Sequence, residues 1–104
     1  MATTELEEVR AKATAALDAA DQDAGASPVL RAVVREFTNK ANKAVDLEKG
    51  DREWEAVVEL EQAGDSAKAA AEADGGAAPA TTESVLAAHL AICILKAGFG
   101  PVAQ

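Results

Sequence analysis

The stretch Ser84–Gly98, SVLAAHLAICILKAG, constrains this chain more than any other. Placed on a helix at about 100° per residue, Leu86, Ala87, Ala88, Leu90, Ala91, Ile94 and Leu95 fill roughly two-thirds of the circumference. Val85, Ile92 and Cys93 border the remaining sector, and His89 and Lys96 lie on one line within it. A helix that is apolar nearly all round calls for enclosure, so the segments before it must supply the faces that cover it. Thr81 or Thr82 is placed to cap its start, with Glu83 in the first turn. Gly98 can end it in a left-handed conformation, Phe99 can fold back on the last turn, and Pro101 blocks continuation.

The rest of the chain is built to match. The first helix is expected from about Thr4 to Asp23, with Thr4 and Glu7 at capping-box spacing and a narrow seam of Leu6, Val9, Ala13, Ala16, Leu17 and Ala20. Half of that seam is alanine, so a partner helix can approach closely. DQDAGASP then breaks the helix, and Ser27 with Pro28 starts the next one. Asp21, Asp23 and Gly25 have the look of a calcium loop. An EF-hand loop, however, needs glycine at its sixth position and glutamate at its twelfth, and counting from Asp21 those places hold Ala26 and Ala32.

The second helix, Pro28 to Lys49, is the clearest amphipath, with Leu30, Val33, Val34, Phe37, Ala41, Ala44 and Val45 in one stripe. Gly50 and Asp51 separate it from a third helix whose apolar arc holds Trp54, Val57, Val58 and Leu60, with Glu61 intruding. At Gly64 the pattern thins, and GDS offers a break and a new cap. In outline a helix, a Gly-Asp turn and an alanine-rich helix resemble a tetratricopeptide unit, but no second copy stands at the period of about 34 residues that such arrays require. DGGAAPATT, residues 74–82, reads as a flexible, exposed linker.

With 104 residues, three aromatic side chains and abundant alanine, the chain favours helix over sheet and suffices for one domain, 1–104. The expected fold is all-α: a small four-helix bundle, mostly up-and-down, with the last helix the most enclosed, or five helices if the Gly64 turn is a true break. The alanine seams and the apolar fourth helix exceed what a small monomer needs to cover. A homodimer is therefore expected, with the fourth or the first helix at its interface.

The formal charge of −8 opposes general binding to nucleic acid or to anionic membranes. The second helix is locally basic, and Arg31, Arg35 and Lys43 are its candidate anion contacts. Yet residues 28–49 carry five bases against three acids, between acidic segments, and flanking ion pairs within a bundle account for that pattern better. Residues 85–97 are too few for a bilayer, which takes about 20, so no membrane partner is expected. The opening MATTELEEVR is acidic and polar, unlike a secretory signal, and a single cysteine suits a reducing compartment. Cytoplasmic residence follows as the expectation.

No phosphate loop, zinc-protease motif or nucleophile elbow is present, and no cofactor is implied. Any metal or thiol chemistry must centre on His89 and Cys93, which share one helical face, with Lys96 beside them and Glu61 able to pair with His89 or Lys96. Two ligands do not complete a structural zinc site, which takes four. The leading functional reading is a non-catalytic module that binds another protein through a helical face. The alternative is a ligand- or metal-binding bundle using the His89, Cys93 and Lys96 side of the last helix.

Overall fold

A computed structural model describes residues 3–46 and 53–99. It contains four helices: α1 (Thr3–Gln22), α2 (Pro28–Asp46), α3 (Glu53–Ala73) and α4 (Pro79–Phe99). Each packs against the one before it, and α4 closes on α1, so the four form an up-and-down bundle. The expectations for Gly50, Asp51 and Pro101 concern positions outside the described residues.

α2 behaves as its pattern dictates. Leu30, Val34, Phe37, Ala41 and Ala44 are all buried, and Ser27 Oγ accepts from Leu30 N at 3.1 Å, the bond of an N-cap. α3 runs unbroken through Gly64, so there is no fifth helix among the described residues. The glycine serves packing instead. A Cβ there would lie 3.2 Å from Ile92 and 3.3 Å from the ring of Phe37, the largest fully buried side chain. Space for that ring is why the hydrophobic pattern thins.

Several expectations about α4 fail. It begins at Pro79, not just after a Thr81 or Thr82 cap, so Thr81 is a buried residue of the first turn and not a cap, and the linker shrinks to residues 74–78. Gly98 lies within the helix and does not end it. Nor is α4 the most enclosed helix. Its buried face is Thr81, Val85, Ala88, Ile92 and Leu95, while Leu90 and Ile94 are 59% and 62% exposed. The apolar arc is wider than the core, and the neighbours cover only one side of it.

The chain also repeats itself. A shift of 51 residues carries Asp23, Gly25, Ala26 and Pro28 onto Asp74, Gly76, Ala77 and Pro79. The same shift carries the buried positions Leu6, Val9, Ala16, Ala20 and Val34 onto the buried Val57, Leu60, Ala67, Ala71 and Val85. The bundle is thus two copies of one helical hairpin, α1–α2 and α3–α4, with their turns at the same end.

Those turns clasp each other reciprocally. Asp23 Oδ1 accepts from Gly25 N within its own turn, and Asp23 Oδ2 accepts from Ala78 N at 2.7 Å and from the Thr81 hydroxyl at 2.8 Å across the bundle. Asp74 Oδ1 accepts from Gly76 N, and Asp74 Oδ2 from Ser27 N at 2.8 Å. Ala78 has no side-chain oxygen to cap α4, and Asp23 of the other hairpin instead anchors its start by accepting the N–H of this cap residue and the Thr81 hydroxyl. These bonds hold both carboxyls below the ordinary carboxylate range: for Asp23 the Ala78 N–H matters most, then the Thr81 hydroxyl, and for Asp74 the Ser27 N–H and then that of Gly76. Gly25 and Gly76 meet back to back, and a Cβ on either would collide with the carbonyl oxygen of the other. The alanines at 16, 20, 67 and 71 keep the adjoining helical turns thin enough for that approach.

Gly25→Ala should therefore destabilise the protein by about 2 kcal/mol, as overpacking typically does. Gly75→Ala, whose new methyl meets nothing within 4 Å, should change stability by less than about 1 kcal/mol, and urea unfolding of the two variants makes the comparison.

Because the folded pKa of Asp23 and of Asp74 is depressed, their contribution is present above the unfolded value near 3.8 and is lost as pH falls through the folded value. In urea titrations at descending pH, the stability gap between wild type and Asp23→Asn should close on the acid side of pH 4. A gap that is constant down to the lowest pH would contradict the clasp.

Candidate functional site

The edge where α3 meets α4 gathers most of the polar residues singled out in the sequence. The helices run antiparallel, so positions early in α3 face positions late in α4. Glu61 pairs with Lys96 at 2.9 Å, and one turn nearer the clasp Asp65 pairs with His89 Nε2 at 2.8 Å. Glu61 thus takes the second of its two expected partners. It lies at the rim of the core, half-buried beside an opposite charge, which answers the cost of burying it alone. Asp65, which the sequence reading passed over as part of a turn, is the residue that orients the imidazole.

Cys93 sits one turn beyond His89, and its Sγ is 3.8 Å from Nδ1 and 3.7 Å from Nε2. Asp, His and Cys in one row invite comparison with a cysteine nucleophile and its base. The geometry opposes it. A carboxylate only accepts, so Nε2–H is donated to Asp65. A sulfur equally far from both nitrogens lies on the lone-pair axis of neither. Burial pushes the Cys93 thiol up, and the Glu61 and Asp65 carboxylates push it further, whereas a nucleophilic cysteine needs the opposite shift. Among the described residues no group of three or more His, Cys, Asp or Glu side chains is placed to hold a metal ion.

The anion-contact candidates on α2 do not converge. Arg31 turns back on the C-terminal end of α1, donating through Nε to Ala20 O at 3.2 Å and through Nη2 to Asp23 O at 2.8 Å. That is a helix C-cap made by a guanidinium. Arg35 pairs with Asp21 at 3.4 Å, and Lys43 stands on the exposed face of α2. Asp21 and Asp23 do not form a cation loop: one meets Arg35, and both oxygens of the other are occupied in the clasp.

The feature that sequence reasoning placed wrongly is the outer face of α4. Leu86 is partly covered, Leu90 and Ile94 are mostly bare, Ala87 and Ala97 are exposed beside them, and Glu83 is the one charge on that side. The hairpin repeat supplies an internal comparison. The positions equivalent to Leu86, Leu90 and Ile94 in α2 are Arg35, Asn39 and Lys43, an ordinary solvated face. The fold therefore does not require apolar side chains there. The signal was available as the residues shared at a spacing of 51. The alanine seam of α1, in contrast, is consumed inside the bundle, since Ala13, Ala16 and Ala20 are fully buried.

The full helix is also longer than the 85–97 stretch suggested: Pro79–Gly98, 20 residues, is long and apolar enough by composition to cross a membrane. In the bundle, one side of it is packed against α1 and α3.

These features define a class of architecture, a four-helix bundle made of two clasped hairpins, with one apolar outer face. Compared with protein-family models, curated proteins and solved structures, the chain matches none.

Alkylation of Cys93 followed against pH should show its midpoint above the usual thiol range, because burial and two carboxylates oppose the thiolate. Glu61→Gln should move that midpoint down. A wild-type midpoint in the acidic to neutral range would restore Cys93 as a nucleophile.

Proposed function

We propose that this protein is a non-catalytic protein-binding module whose docking surface is the outer face of α4. The observation that carries the reading is the contrast between the repeats. Equivalent positions are Arg35, Asn39 and Lys43 on one hairpin and Leu86, Leu90 and Ile94 on the other. Contiguous exposed apolar residues rimmed by polar ones are the usual mark of an interaction site. Single exposed apolar residues such as Val29 need no such account.

The polar row at the α3–α4 edge fits the same reading. The Glu61–Lys96 and Asp65–His89 pairs border the apolar face on its α3 side, setting charges along one margin of a hydrophobic centre.

A photo-crosslinking side chain placed at Leu90 tests the proposal, with the same group at Asn39 as its internal control. In cells of the source organism, position 90 should give a discrete protein adduct and position 39 none. Equal labelling at the two positions, or labelling at neither, removes the support for a docking face on α4.

A further inference from the structure

We infer that the occupant of this face is a second copy of the chain, seated antiparallel on α4 about Leu90. The inference rests on the docking reading above and names its partner. A two-fold interface brings a patch against itself, so the patch must be self-complementary. That of α4 is: Leu86 and Ile94 stand four residues to either side of Leu90. In an antiparallel pair each Leu86 therefore meets the partner's Ile94, and the two Leu90 side chains meet at the axis. Ala87 and Ala91 run alongside and leave a shallow channel for the opposing row.

Charge limits where two copies can meet and in which orientation. Two chains of −8 each repel, and they must meet where carboxylates are few. Exposed positions of α1 include Glu7, Glu8 and Asp18, and those of α3 include Glu55, Asp65 and Glu72. The outer face of α4 offers Glu83 alone. Parallel pairing would bring the two Glu83 carboxylates together. Antiparallel pairing sets each opposite Ala97 of the other copy and separates the two by about 21 Å along the axis, at 1.5 Å per residue.

A face one helix wide lies at the low end of specific interfaces, which bury about 1,200–2,000 Å² in total. The dimer is accordingly weak and concentration-dependent.

Sedimentation equilibrium from low to high micromolar concentration tests this on the full chain. Wild type should move from monomer to dimer. The double variant L90N/I94K, which copies the residues of α2 onto α4, should weaken association about tenfold or more while melting within a few degrees of wild type. In a Cys93→Ser background, Leu90→Cys should form an interchain disulfide on mild oxidation. Leu86→Cys alone should not, but should do so when mixed with Ile94→Cys. Self-linking at position 86 would overturn the antiparallel arrangement. A monomeric wild type at every concentration, or a dimer that survives L90N/I94K, overturns the inference. A monomer that crosslinks at position 90 to a protein of another mass leaves the docking face standing and rejects only the second copy. A monomer that co-sediments with phosphatidylcholine vesicles, and loses this in L90N/I94K, assigns the face to lipid and rejects both.

Discussion

The reciprocal bonds of Asp23 and Asp74 are what make one bundle of two hairpins. Each carboxylate closes its own turn through one oxygen and, through the other, holds the start of a helix in the opposite hairpin. Charge-assisted bonds to backbone N–H groups are among the stronger kinds. Here they satisfy donors that a helix N-terminus leaves without intrahelical partners. α4 depends on them most, because its cap position is Ala78. Neither turn is complete until the other hairpin is in place, which couples the halves at their tightest point. The glycine contact enforces the same coupling sterically, since each backbone occupies the space a side chain on the other would need.

Once the repeat is seen, departures from it can be sorted by whether something inside the chain balances them. In the core they are balanced. Phe37 corresponds to Ala88 and Ala13 to Gly64, and the large ring of one half fills the space left by the smaller residues of the other. Thr38 corresponds to His89: the threonine hydroxyl lies within hydrogen-bond reach of Ala13 O and Val34 O, 3.1 and 3.0 Å, while the imidazole reaches Asp65 at the rim. At the outer face nothing among the described residues balances the exchange of Arg35, Asn39 and Lys43 for Leu86, Leu90 and Ile94.

The helical class, the four segments and the face of α2 were legible in the sequence because α2 mixes apolar and polar residues with a clear phase. Leu30, Val34, Phe37, Ala41 and Ala44 can face only one way. α4 carries almost no such contrast. Its wheel was centred on the widest apolar arc, which includes Leu90 and Ile94, yet the core took the edge containing Val85 and Ile92. In a nearly uniform helix, phase is set by which neighbours arrive, and here the Thr81–Asp23 bond and the fit of Ile92 over Gly64 set it. The salt bridge of Glu61 could be anticipated as a choice between two partners, because a carboxylate on an apolar arc needs a cation. The clasp could not. Its bonds join residues 47 to 58 positions apart, and read locally its aspartates and glycines make two unrelated turns. Helical positions differ widely between the copies, and the identity is densest at the turn, where Asp23, Gly25, Ala26 and Pro28 recur as Asp74, Gly76, Ala77 and Pro79.

The apolar face also bears on how the bundle resists its own charge. A chain of −8 with acidic outer faces on α1 and α3 is protected from indiscriminate association by repulsion. Leu86, Leu90 and Ile94 interrupt that protection on one helix only, and the exposed apolar area there would favour aggregation if it were broader or repeated on α2. The Asp65–His89 and Glu61–Lys96 pairs along one margin, with Glu83 near the start, leave the centre of the face for close packing and set charges at its edge. Such an edge contributes little to affinity, since exposed ion pairs are each worth about 0–1 kcal/mol. In the docking proposed above it would act on selectivity: a surface that covers the leucines must also tolerate the charges beside them, and an apolar surface lacking polar groups at that margin is disfavoured.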